Sequence, residues 1–176
     1  VLIMICCSAD WAANLGQSDD QAVWNFTSYA LQQNPNTRIG LAMPWSDFPE
    51  DYVDAAEHRN ATDQAYPLWK SMASRLSSDF NNADVFTFYH GAAAYELREM
   101  FEAGNLSDVN QLRGPSSTSL FTDQKGHAGQ IVKDLGTLLW LAAIHGVDPM
   151  TMPEFTQYDA DIRLIARAIL DEQSQN

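Results

Sequence analysis

Three short, continuously apolar stretches, two of them followed at some distance by segments of helical periodicity, confine this chain to a narrow set of architectures. Residues 1–6 read Val-Leu-Ile-Met-Ile-Cys with no polar break. A strand with one face in water alternates apolar and polar residues, so an unbroken run of this length implies a strand covered on both faces, as in a parallel sheet. Residues 38–43 read as a second buried strand, and residues 84–89, carrying Val85, Phe86 and Phe88, as a third strand.

The intervening segments have the spacing of helices. Ser18 is placed to cap a helix running to about Gln33, with Asp19 and Asp20 in a first turn that favours acids, and Pro35 ends it. Leu68, Met72, Leu76 and Phe80 mark one face of a helix over residues 66–80. Ala93, Leu97, Met100 and Phe101 mark the next, stopped by Gly104. Residues 128–145 form the most apolar helix, with Ile131, Val132, Leu135, Leu138, Leu139 and Ala142 on one face, and residues 159–172 the last, with Ile162, Ile165, Ala166 and Ile169. Pro44 opens a long loop, and residues 105–126, rich in Gly, Pro and Ser, read as a surface loop. Strands alternating with helices predict right-handed crossovers and a single α/β domain over residues 1–176: three α/β/α layers around a parallel, flavodoxin-like sheet. Because Val1 opens inside a strand that reads as central, a preceding strand and helix are expected, from an N-terminal segment or a complementing chain.

Charge narrows the partners. The chain carries 10 Lys and Arg against 23 Asp and Glu, a net charge of −13, which repels nucleic acid and anionic membrane surfaces. No apolar run reaches the roughly 20 residues that span a bilayer, and the apolar opening lacks the basic flank of a secretory signal. The low isoelectric point near 4.4 suits a salty medium or secretion to the periplasm or exterior. Cys6 and Cys7 are adjacent, a spacing for neither a disulfide framework nor a zinc site, and read as buried structural thiols. The acidic pairs Asp19-Asp20 and Glu50-Asp51 lack further ligands, and no glycine-rich phosphate loop follows a strand, so no metal or other cofactor is expected.

Ligands of parallel α/β sheets bind where strands end at their C-termini. That nominates residues 8–14, residues 44–47, His90-Gly91 and the loop ending at His127. Trp11 and Trp45 follow strand ends and can stack on a sugar or another flat ligand, and His90 can line the same site. Trp24, Trp69 and Trp140 fall within helices and read as core; His145 sits in a last helical turn, and His58 has no informative context. Asp123 and His127 share one short loop before the most apolar helix. A carboxylate there can fix an imidazole's tautomer while the other ring nitrogen takes a nucleophile's proton. The same spacing also describes a solvent-facing turn that Asp123 caps and from which His127 leads into a helix.

Residues 85–98 read V-F-T-F-Y-H-G-A-A-A-Y-E-L-R, followed by L-F-T-D at 120–123 and I-H-G-V-D-P at 144–149. These stretches resemble the end of SGNH (GDSL-type) hydrolases, in whose bacterial members a strand and an A-x-x-E-L-R helix precede the catalytic loop. Residues 38–45 are similar to the strand before a P-W turn in the same group. The resemblance implies ester hydrolysis: a serine attacks, His127 acts as general base, and Asp123 orients His127. It further implies that the serine comes from a segment upstream of Val1 and that the substrate is a small ester or an acylated carbohydrate. The chain departs from the family in three places. Asp123-x-x-x-His127 is one residue longer than the family's last block, no Gly-Asp-Ser occurs anywhere, and Cys7-Ser8-Ala9-Asp10 keeps only the final Asp of the third block. Asn14 is the nearest replacement for the missing oxyanion-hole amide. These departures equally suit a non-catalytic ligand-binding or scaffold module on the same fold.

Overall fold

The computed structural model of the chain describes residues 1–5 and 21–175. Its described strands are β1 (Leu2–Ile5), β2 (Ile39–Met43), β3 (Val85–Tyr89), β4 (Gln111–Arg113) and β5 (Ser119–Phe121). Its described helices are α1 (Gln21–Gln33), α2 (Ala55–Asp63), α3 (Tyr66–Asp79), α4 (Ala92–Glu102), α5 (Gln130–His145) and α6 (Ile162–Gln175). The fold is α/β. The chain divides into two compact units, one formed by Val1–Pro44 and Ala61–Tyr89, the other by Trp45–Asn60 and His90–Asn176.

The first unit holds a parallel sheet of order β1-β2-β3. All five residues of β2 are buried, which is what an apolar run in a covered strand predicts. Gly40 lies at the crowded centre of β2: a Cβ there would come within 2.4 Å of Ile3 Cδ1 and 2.8 Å of Phe86 Cζ, so the flanking side chains fill the space a larger residue would need. Leu2, Ile3 and Met4 are half-buried and Ile5 is exposed, because among the described strands β1 pairs on one side only, with β2. Helix α3 packs on the sheet through Trp69, Met72, Ala73 and Leu76, one residue round from the expected stripe, so Leu68 and Phe80 stay half-buried. The proposed cap of α1 and the two cysteines lie outside the described residues.

In the second unit α5 is the structural axis. Ile131, Val132, Leu135, Leu138 and Leu139 are buried along its length, each side chain removed from water contributing about 1.5–3 kcal/mol. Helix α4 contributes Ala93, Tyr95 and Leu97, and α6 contributes Ile162, Ala166 and Ile169. Gly146, at φ 65°, ends α5 in the left-handed conformation and donates its N–H to Ala142 O.

Two loop expectations are corrected. The stretch after Pro44 is not a plain loop, since it contains a 3-10 turn at Pro49–Asp51 and helix α2. Nor are residues 105–126 a surface loop throughout: Leu106 and Val109 are buried, and β4 and β5 pair in parallel with all of Ser119, Leu120 and Phe121 buried. Composition signalled loop because of Gly114, Pro115 and Ser116-Ser117, but these are only the turn joining the two strands.

Candidate functional site

Residues 120–129 form a tight return between β5 and α5. Leu120 and Phe121 anchor its outgoing arm in the core. Phe121 bridges Ala128 in antiparallel fashion, Thr122 N–H donates to His127 O at 2.7 Å, and Gly129 N–H donates to Leu120 O at 2.6 Å. The tip turns at Gly126, whose φ of 96° is a backbone state that side chains resist. A Cβ at Gly126 would also meet Pro49 Cδ at 2.8 Å. The segment following β2 holds this tip in place: Trp45 Nε1–H donates to Gly126 O at 2.9 Å, and Phe48 N–H donates to Lys125 O at 3.0 Å.

This turn brings Asp123 and His127 together. His127 Nδ1 meets Asp123 Oδ2 in a short hydrogen bond. Asp123 Oδ1 accepts from the backbone N–H of Gly126 at 3.1 Å and of His127 at 3.2 Å. One carboxylate therefore braces both the loop backbone and the imidazole, and because α5 begins at Gln130, His127 lies in the turn and does not start the helix. The hydrogen bond from the His127 ring, then that from its backbone N–H, keeps the Asp123 carboxyl below its usual range. Both side chains remain accessible, 47% for Asp123 and 68% for His127. With Nδ1 engaged, Nε2 is the nitrogen left for a proton in transit. Among the described residues the His127 ring has no hydrogen-bond partner other than Asp123, so no serine hydroxyl there meets it.

Trp45 and His90 come together beside this loop. The His90 ring, 8% exposed, lies edge-on to Trp45 with centroids 6.0 Å apart, and 5.6 Å from the ring of Trp140. The three line a cleft of about 440 Å³ floored by α5, with Lys133 and Thr137 at its edge. Burial pushes the His90 imidazole down to about 4, so it is neutral at neutral pH. Trp140 is thus not a core residue, as its place within a helix had suggested, but a half-buried wall of the cleft. Gly136 forms part of the floor. A glycine within a helix costs about 1 kcal/mol relative to alanine.

Asn14 and Trp11 lie outside the described residues. His58, which has no informative local pattern around it, is fully buried. Its Nε2–H donates to Ser46 O at 2.9 Å, its ring stacks on Tyr52 at 4.8 Å, and Tyr95 meets it edge-on at 4.7 Å. Desolvation lowers its basicity to about 4, and Nδ1 has no hydrogen-bond partner among the described residues. The enclosing residues come from separate segments, which is why local pattern could not find them. Among the described residues no group of three or more His, Cys, Asp and Glu is placed to hold a metal ion, and no helix is long and apolar enough to cross a membrane. Comparison of the chain with known protein families, with characterised proteins and with solved structures finds no match.

Proposed function

We propose that the Asp123–His127 pair is the base half of a serine-type ester hydrolase acting on a small ester or an acylated carbohydrate. The observation that carries this reading is the carboxylate on Nδ1 of an accessible imidazole, held by a loop whose backbone the same carboxylate braces. In the proposed reaction Nε2 takes the proton of a serine hydroxyl as the oxygen attacks the ester carbonyl. The resulting imidazolium is stabilised by Asp123 and returns the proton to the departing alkoxide. Water then repeats the sequence on the acyl-enzyme, releasing the acid and regenerating the serine. The nucleophile is assigned to a serine outside the described residues.

A second reading, a ligand-binding module without turnover, is favoured by one observation: the His127 ring touches no hydroxyl among the described residues. Labelling with a fluorophosphonate separates the two. The hydrolase reading expects one covalent adduct by intact mass, mapped to a serine by peptide sequencing and lost in His127→Ala. A folded protein that takes no label, or takes it equally in the variant, contradicts it.

A further inference from the structure

The geometry points to the cleft between Trp45 and Trp140 as a binding site for a small apolar carboxylate, with Lys133 as its counter-ion. Gly136 is buried in α5, yet a Cβ built on it would find no atom of the described residues within 4 Å beyond the helix's own backbone. No neighbour therefore requires a glycine here, and a larger residue would make the helix firmer. What the missing side chain leaves is depth in the floor of the cleft.

The walls define what can occupy that depth. Trp45, His90 and Trp140 offer aromatic surfaces, and the neutral His90 ring adds no charge to them. A volume of about 440 Å³ falls within the range of small-molecule sites, about 300–1,000 Å³. A flat or branched apolar group fits such walls.

The mouth supplies the polarity. Among the described residues that line the cleft there is no carboxylate, although the chain carries 23 acidic residues against 10 basic. Lys133 lies at its edge and forms no ion pair among the described residues. The neighbouring Asp134 is committed elsewhere, accepting from the Tyr158 hydroxyl at 2.6 Å and from Gln130 Nε2 at 2.8 Å. An aromatic cleft whose described lining residues include a lysine and no acid, on a strongly acidic chain, suits an anionic head on an apolar body. The assignment does not rest on the hydrolase reading, and its readout involves no turnover.

The test is calorimetric titration of the whole chain with three probes of one shape: 2-naphthoate, 2-naphthalenemethanol and 2-naphthylmethylammonium. Saturable one-to-one binding is expected, with the acid about fivefold tighter than the alcohol, as a partly exposed ion pair provides, and the ammonium weakest. Gly136→Leu fills the floor and is expected to weaken 2-naphthoate by at least about tenfold without lowering Tm. Lys133→Gln, at an exposed position where folding is not at stake, brings the acid down to the alcohol. The proposal is overturned if wild-type protein shows no saturable binding of 2-naphthoate. It is equally overturned if the three probes bind alike, if Lys133→Gln leaves the preference for the acid intact, or if folded Gly136→Leu binds as wild type does.

Discussion

His58 and His127 are the same side chain in opposite circumstances. His58 is fully buried, pressed between aromatic rings, and hydrogen-bonded through Nε2 to a backbone carbonyl. His127 is 68% exposed and hydrogen-bonded through Nδ1 to a carboxylate. Burial without a counter-charge disfavours the imidazolium, so His58 stays neutral and serves packing. A carboxylate on Nδ1 of an accessible ring is the arrangement the proposed proton shuttle requires. The contrast places packing at one histidine and the proposed chemistry at the other, and each half can be tested separately.

The sharpest test of the stability half lies in what encloses His58. Arg98, 2% exposed, donates from Nη2 to Tyr52 O at 3.0 Å, from Nη1 to Pro49 O at 2.8 Å and from Nε to Glu102 at 2.7 Å. Removing it leaves two carbonyls and one oxygen of the Glu102 carboxylate without the Arg98 donor, so Arg98→Ala is expected to cost about 3–5 kcal/mol in urea denaturation. His58→Ala follows, at about 2–4 kcal/mol, through the cavity left among Tyr52, Tyr95 and Phe121. A loss under about 1 kcal/mol for either would break the assignment of this cluster to stability.

Acidity gives the next test. His58 has an ordinary value of 6.5 and a folded value of about 4, so between these limits the unfolded chain binds the proton and the folded chain does not. The stability this histidine confers is complete above about pH 6.5 and drains away as pH falls toward 4, with about 2 kcal/mol gone at pH 5. His90, lowered to about 4 by burial alone, adds a loss of the same sign in the same window. His58→Phe keeps a ring in place and removes the titration, so urea midpoints at pH 7 and pH 5 should lie closer together in the variant than in wild type. The smallest expected effect is the stability change of His127→Ala, within about 0.5 kcal/mol, because that side chain is mostly in solvent.

The same contrast explains which parts of the molecule the sequence made legible. Strands β2 and β3 and helices α3 to α6 were readable because apolar period is a local property of each segment. Helix α2 was not: Ala-Ala-Glu-His-Arg-Asn-Ala-Thr-Asp has too few large apolar residues to mark a face. His58 was illegible for the same reason, since its burial is created by Tyr52, Tyr95 and Phe121, residues scattered through the sequence. Asp123 and His127 were visible because their partnership is contained in one turn, and Gly126 lets that turn close over a spacing of four. Trp140 was misread because helical period cannot distinguish a core wall from the wall of a cleft.

The most direct test of the central claim is the kcat/KM for a short-chain p-nitrophenyl ester in wild type, His127→Ala and His58→Phe, with folding checked by circular dichroism. A hydrolase built on the Asp123–His127 pair predicts measurable turnover in wild type, a loss of about 10³-fold or more in His127→Ala at unchanged stability, and near-normal turnover in folded His58→Phe. Turnover that survives His127→Ala, or none from a folded wild-type sample, would contradict it.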